Sequence, residues 1–470
     1  MELRREDARR VARAGGDAAE AQTLVLFDLI AEQGERIAKL ERRLGQNSRN
    51  SSLPSSKDPA DTPKRPARKR SERKQGGQPG HKGVSRELID DPDEMIPVPP
   101  ERCRKCGREL SSQDRVVGRP VRHQVIELPE SAVVTTEYQL QKVACPGCGT
   151  HTRGELPEGV EPGSFGPRLR ATVVMLAVML LSRRAIVTVL GDMFGARIAT
   201  GSVEKILKDA SASLKEPWEA VKRAVQSGDV AHADETSWRK AGQRMWLWTA
   251  LSATAACFAI DPTRARKVAR DLLGDFDGIL ITDRYSVYAM LDPEHRQICL
   301  AHLARNFQAY AERAGPAGRH GTRIKGLLDQ IMILDRTARA DGRQLQWSAG
   351  ELNPLHDQLM DALEAGERGH TEDLATLCAA ILDLWPALWS FTEHANVDAT
   401  NNRAERAIRH AVLWRKTSGG TQTDEGDRFV ERILSIRETC RLQDRRLHPY
   451  LIDVHNARLT GQPIPTPIAA

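Results

Sequence analysis

Two short runs decide how this chain reads: "DVAHADET" at residues 229–236 and "GILITD" at residues 278–283. Each is a stretch of small or branched apolar residues that closes on an acid, Asp234 in the first and Asp283 in the second. Runs of this length, bounded by turn residues, read as short β-strands. Between them, "RMWLWTALSA" (244–253) and "AACFAID" (255–261) read as a hairpin and "TRARKVARDLLGD" (263–275) as a helix; "RQICLAH" (296–302) is one more strand. Strands alternating with turns and a helix indicate a mixed α/β sheet over 228–302. Asp234 and Asp283 then stand where their strands end and the chain leaves the sheet. Carboxylates at strand ends can converge on one point and hold hard divalent ions through oxygen. Helix caps and turns also account for many such acids, so two of them decide little.

Outward from this core the texture is helical. Residues 303–395 carry no strand signal, and 396–460 are helical again. On the N-terminal side, 163–225 is helical, and "SRRAIVTVLGDMFGARIATGSVEKILKDAS" (182–211) reads helix, Gly-containing turn, helix, with Thr200 or Ser202 as the second N-cap. That suits a helix-turn-helix for DNA and equally a plain helical hairpin. Ahead of it, residues 100–155 hold two knuckles, "CRKCG" and "CPGCG", separated by β-rich sequence. Cys103, Cys106, Cys145 and Cys148 read as the ligand set of a tetrahedral structural Zn²⁺ site in a zinc-ribbon-like domain. Cys257, Cys299, Cys378 and Cys440 are isolated among apolar residues and read as core.

Residues 47–99 are rich in Ser, Asn, Pro and basic residues without apolar periodicity, which reads as a disordered linker. Eight cations lie between Lys64 and Lys82, Lys69 and Arg70 among them, against Glu72 alone, while the whole chain of 470 residues carries a net charge of only +6. So local an excess points to a polyanion such as DNA. Over 19–46, Leu26, Ile30, Ile37, Leu40 and Leu44 fall on a and d positions of a heptad frame, with Thr23 and Gln33 at the remaining two. A short coiled coil joining two copies and an ordinary amphipathic helix both fit this spacing. The N-terminus lacks the apolar core of a secretory signal, and the run Ala171–Leu181 is too short to span a bilayer. The expected setting is the cytoplasm, where paired cysteines suggest metal.

A third acid, Glu405, lies in "ATNNRAERAIRH" (399–410), among two amides, three arginines and a histidine. Locally, Asn402 as N-cap and Glu405 three residues on make a capping box. The wider context adds a second reading. "HADETSWR" (232–239), "ITDRYSVY" (281–288), "AHLARNF" (301–307) and the run from Asn401 to Gln443 together resemble the IS-sixty-six family of bacterial insertion-sequence transposases. The likeness is collinear over residues 20 to 458 and takes in the N-terminal helix, the linker and the double knuckle.

That resemblance implies a multidomain chain with a ribonuclease-H-like catalytic core split by an all-helical insertion. It implies a catalytic, Mg²⁺-binding (or Mn²⁺-binding) triad of Asp234, Asp283 and Glu405. It further implies metal-activated water cutting the ends of the element and a freed 3′-hydroxyl attacking target DNA. Arg403, Arg406, Arg409 and His410 would meet DNA phosphates. The implied partners are terminal inverted repeats, target DNA, further copies of the chain and accessory transposition proteins, at the bacterial nucleoid. Members often read Asp-Gly-Tyr where this chain has Asp283-Arg284-Tyr285, which leaves the turn there open; Asp398 also lies two positions ahead of its family place. A non-catalytic DNA-binding regulator and a ribonuclease-H-like repair nuclease are the rival readings.

Overall fold

The computed structural model describes scattered positions between 26 and 50, then residues 88–468 apart from 112, 115–116, 120, 127–132, 149, 346–349, 351 and 370. Lys69 and Arg70 lie outside the described residues. The chain divides into two compact units, Pro63–Val134 and the remainder.

Around the knuckles the β-rich expectation holds only in part. Strand β1 (Lys142–Ala144) pairs with β2 (His151–Arg153) on either side of Cys145 and Cys148, and an isolated bridge joins Arg102 to Glu109 around Cys103 and Cys106. Residues 121–126 and 133–140 join no ladder. Their alternating apolar side chains, such as Val121, Val125 and Val134, are exposed, so no buried face selects a register for them.

Four helices follow: α1 (Pro167–Val178), α2 (Arg183–Phe194), α3 (Thr200–Ser213) and α4 (Lys215–Gln226). Ser182 caps α2 by accepting from the Ala185 amide at 3.2 Å, and Gly195 closes it in the left-handed conformation. The N-cap of α3 is Ala199 and carries no side-chain bond, so neither Thr200 nor Ser202 plays the expected role.

The sheet comprises β3 (Val230–Lys240), β4 (Gln243–Leu251), β5 (Ala256–Asp261), β6 (Ile279–Thr282) and β7 (Arg296–Ile298), in the order β5-β4-β3-β6-β7. The β3–β4 and β4–β5 pairs are antiparallel; β3–β6 and β6–β7 are parallel. Helix α5 (Arg266–Leu273) links β5 to β6. In β6 the period of two is plain: Leu280 enters one core while Ile279 and Ile281 enter another. The first core joins α1–α4, the β3–β5 ribbon and the last three helices, so residues 163–225 share one interior with the sheet. The second belongs to the helical stretch: α6 (Leu300–Ala311), α7 (Gly315–Ala340), α8 (Asn353–Glu367), α9 (Glu372–Leu382) and α10 (Ser390–Glu393). This stretch begins at Leu300, directly after β7.

The chain then returns through α11 (Asn402–Ser418), α12 (Asp424–Leu442) and α13 (Leu447–Leu459). Gly419 ends α11 in the left-handed conformation, and at Gly420 (φ 101°) a Cβ would lie 2.1 Å from the Arg239 carbonyl. Only glycine lets this turn reach β3, where Thr421 accepts from Trp238 Nε1 at 3.1 Å.

Helix α12 covers the edge strand. Side chains of Thr439, Ser435 and Glu431 accept from the amides of Ala256, Phe258 and Ile260 at 3.0, 2.8 and 2.6 Å. Four helical residues advance roughly 6 Å and two strand residues roughly 6.6 Å, so an every-fourth pattern on a helix matches an every-second pattern on a strand. Donors that would otherwise template another strand are thereby used.

Candidate functional site: an acid cluster at the end of the parallel strands

Strand β3 runs on to Lys240, so Asp234 is not at its end, contrary to the expectation from "DVAHADET". Two partners explain this. The antiparallel β4 supports β3 over 232–240, whereas the parallel β6 accompanies only 230–232. Asp234 thus stands just past the point where β6 stops. Extending the register of His232 with Ile281 by two residues matches Asp234 with Asp283, on one face. The strand-end reading therefore holds for the parallel pair, whose carboxyl end is where α/β sheets expose their sites.

Asp234 is half-buried, and its Oδ1 accepts from the Glu235 amide at 2.9 Å. Burial first, then the charges of Glu235, Asp283 and Glu405, raise its pKa well above the ordinary carboxylate value. Like charge on neighbouring carboxylates opposes the ionisation of a buried acid. Asp283 turns back on the chain, Oδ1 accepting from the Tyr285 amide at 2.9 Å. Arg284 between them has no positive φ, so arginine fits this turn without strain. Its guanidinium is half-buried, and its Nε has no hydrogen-bond partner.

Glu235 points to the opposite face of β3. Its carboxylate accepts from Tyr288 Oη at 2.7 Å and Arg264 Nε at 2.8 Å, and Arg264 stacks 3.7 Å over the Tyr285 ring. Burial raises the Glu235 pKa against the pull of Arg264. Glu235 is therefore consumed in an internal network, while no cation among the described residues pairs with Asp234.

Glu405 lies in the first turn of α11, and the capping box does not form. The N-cap is Asn401, and its side chain makes no capping bond. Instead its Nδ2 donates to the Ala233 carbonyl at 2.7 Å and its Oδ1 accepts from His232 Nδ1 at 3.0 Å, while its backbone amide donates to Cys299 Sγ at 3.1 Å. Burial lowers the His232 pKa to about 4, so the ring is neutral at pH 7 and donates from Nδ1. One buried residue thus ties α11 to β3 beside Asp234 through its side chain and to the β7–α6 junction through its backbone.

Released from capping, Glu405 reaches α6. Its Oε1 accepts from Arg305 Nη2 at 2.8 Å, with His302 Nε2 3.6 Å away. Both partners lie in "AHLARNF", which the sequence reading singled out without giving them a role. Among the described residues no three His, Cys, Asp or Glu side chains lie close enough together to hold a metal ion. The donor set is nonetheless hard oxygen, and among the described residues no cation neutralises Asp234; the chemistry suits a divalent ion.

The outer face of α11 is basic. Arg406 and Arg409 are exposed, and Arg403 stands 3.6 Å from Asp398, which also pairs with Arg339 at 3.1 Å. His410 does not join them: its Nε2 donates inward to the Val178 carbonyl at 2.9 Å.

The first knuckle has the backbone of a thiolate turn. The Cys103 amide donates to the Arg108 carbonyl and Gly107, at φ 74°, donates back to Cys103. Amides of Cys106 and Lys105 lower the Cys103 pKa, and Thr150 lowers that of Cys148, both of which favour thiolate. Cys257, Cys299, Cys378 and Cys440 are buried.

Asp234 and Asp283 thus stand at the end of the parallel strands, beside a helix that turns arginines outward. The chain belongs to the transposase IS66 family, which it matches over residues 162–428, a span containing Asp234, Asp283 and Glu405. Residues 7–87 match a family of unknown function, DUF6444. "Uncharacterized protein y4hP" of Sinorhizobium fredii is 23% identical over 99% of this chain and 86% of its own length. Two further uncharacterized proteins of that organism, y4jD and y4qI, are 23% and 26% identical over 46% of this chain, and over 44% and 46% of their own lengths. Membership of this family implies transposition, and with it DNA as partner. No helix among the described residues is long and apolar enough to cross a membrane.

Proposed function

We propose that this chain cuts DNA at the ends of an insertion sequence and joins the freed 3′-hydroxyl to target DNA, using Asp234, Asp283 and Glu405 on a ribonuclease-H-like core. The observation that carries the proposal is the acid cluster itself. Asp234, Asp283 and Glu405 come from three separate parts of the chain, yet the register of the parallel strands sets Asp234 against Asp283 on one face, and the bond from Asn401 to the Ala233 carbonyl brings the first turn of α11, with Glu405, to the same end of the sheet. The sheet order, with three antiparallel strands followed by two parallel ones, supports the fold assignment.

Bound Mg²⁺ or Mn²⁺ at these acids supplies Lewis-acid stabilisation of the attacking and leaving oxygens in an in-line displacement at phosphorus. The chain's own residues do the rest. Asn401 holds Glu405 and Asp234 at the same end of the sheet, and Arg264 with Tyr288 keeps Glu235 out of the site. Arg403, Arg406 and Arg409 receive the phosphates, and Lys69 and Arg70 of the basic segment add non-specific affinity. The four knuckle cysteines hold one Zn²⁺, and the 19–46 helix pairs two copies. Its exposed Leu26, Ile30, Ile37, Leu40 and Leu44 support that pairing.

Glu405→Gln tests the metal role. Gln keeps the volume and a hydrogen-bond acceptor for Arg305 but lacks the charge that a hard Mg²⁺ prefers. The expected outcome is unchanged melting temperature and unchanged gel-shift affinity for a terminal-repeat duplex, with end cleavage in Mg²⁺ abolished and partly restored by Mn²⁺. Wild-type cleavage by the Gln variant overturns the assignment.

A further inference from the structure

We propose that Arg305 serves two partners in turn: it neutralises Glu405 while the acid cluster is empty, and passes to a DNA phosphate when a divalent ion takes Glu405. This rests on the acid-cluster reading above.

Three observations carry it. Glu405 and Arg305 meet at 2.8 Å although 100 residues separate them, and each is about one-third exposed, Glu405 at 37% and Arg305 at 33%. The pair is therefore accessible rather than sealed in the core. Next, Arg305 is lightly anchored. Apart from Glu405 its guanidinium has one long bond, from Nε to the Ala301 carbonyl at 3.4 Å on its own helix. Compare Arg264, which is fixed by Glu235 and by stacking on both Trp246 and Tyr285. Finally, Glu405 is the one of the three acids with a cation already on it among the described residues, where no three acids lie close enough together to hold an ion.

Charge decides the direction of the exchange. A guanidinium and a divalent ion on the same carboxylate repel each other strongly at partly buried sites. The ion and Arg305 thus compete for Glu405, and the displaced guanidinium needs a new anion. Phosphate matches its planar fork of donors, and a phosphodiester is what the site admits. The backbone has no need to move. Asn401 pins the start of α11 to Ala233 and His232, so the exchange is a change of side-chain rotamer on Glu405 and Arg305.

This makes Arg305 a positioning residue for Glu405 before DNA arrives and a phosphate contact afterwards. A fixed orienting partner would have the opposite signature, since hydrogen bonds to a ligating carboxylate strengthen metal binding.

The test is Mn²⁺ binding to the full chain without DNA, read from the electron spin resonance signal of free Mn²⁺. Arg305→Met keeps the side-chain stem and removes the charge. It should bind Mn²⁺ roughly tenfold more tightly than the parent chain. With DNA present it should cleave more slowly, and the salt dependence of duplex binding should flatten by about 0.9, as for one lost phosphate contact. Arg305→Lys, which keeps the charge, should stay near the parent in Mn²⁺ affinity and guards against a folding artefact in the Met variant. Unchanged or weaker Mn²⁺ binding by Arg305→Met overturns the exchange. If Glu405→Gln also leaves Mn²⁺ binding unaltered, the metal reading of the cluster fails as well; if Glu405→Gln weakens it, only the role of Arg305 is lost.

Discussion

At the residue scale the site turns on Asn401, whose amide satisfies one buried donor and one buried acceptor on β3. Truncating it leaves the His232 ring N–H and the Ala233 carbonyl without partners in a dry interior, each at a cost of about 1–3 kcal/mol. Asn401→Ala should therefore lower the unfolding free energy by roughly 2–5 kcal/mol in a urea titration, and it should slow end cleavage even where the chain stays folded. A loss below ~1 kcal/mol would mean that the latch is not formed in solution. The same residue shows how a local signal can mislead. Asn402 followed by Glu405 has the spacing of a capping box, yet the helix starts one residue earlier and neither side chain caps it. Asn401 and Glu405 are both drawn to partners on other elements, which no reading of twelve residues could reveal.

At the scale of elements, the sheet's edge depends on α12. The Ser435 hydroxyl accepts from the buried Phe258 amide, and the neighbouring bonds from Thr439 and Glu431 follow at one-turn intervals. Ser435→Ala removes one acceptor and should destabilise the chain by about 1–3 kcal/mol. Hydrogen exchange at Phe258 should accelerate, with β3 in the centre of the sheet unaffected. Equal protection in the variant would show that the edge is covered by other means. Helices and strands were largely legible from period and punctuation: the β4–β5 hairpin, α5 and the long helical run all form where residue patterning puts them. Strand length was less so. The end of β3 is set by its pairing partner β4, and β4 begins after a turn that the apolar pattern of "DVAHADET" does not include.

For the molecule as a whole, the contrast lies between a well-packed interior and the cysteine-bearing segment. The described residues of 100–155 leave Val117, Val121, Val125, Val134 and Val143 exposed, and none of them enters either core. A segment with so little apolar burial needs another source of order, and a bound metal is the usual one. Metal analysis should find about one zinc per chain. Its removal with a strong chelator should open 100–155 to protease while the main thermal transition of the remaining chain stays within ~2 °C. Retention of protease resistance after complete metal loss would leave the four cysteines without a structural role.

By itself the sequence determined the kinds of element, the knuckles and the candidate acids, because each is written in a few consecutive residues: alternation of two, a helical period, paired cysteines, an acid closing an apolar run. Only the tertiary structure decided what those acids touch. Asp234 gains its neighbours because β6 ends beside it; Glu235, next in the chain, is spent on Arg264 and Tyr288 across the sheet. Glu405 meets Arg305 because Asn401 seats α11 against β3 and the start of α6. Contacts between residues a hundred or more positions apart depend on how whole elements pack, and the energy of that packing is spread over the cores rather than written beside the residues it brings together.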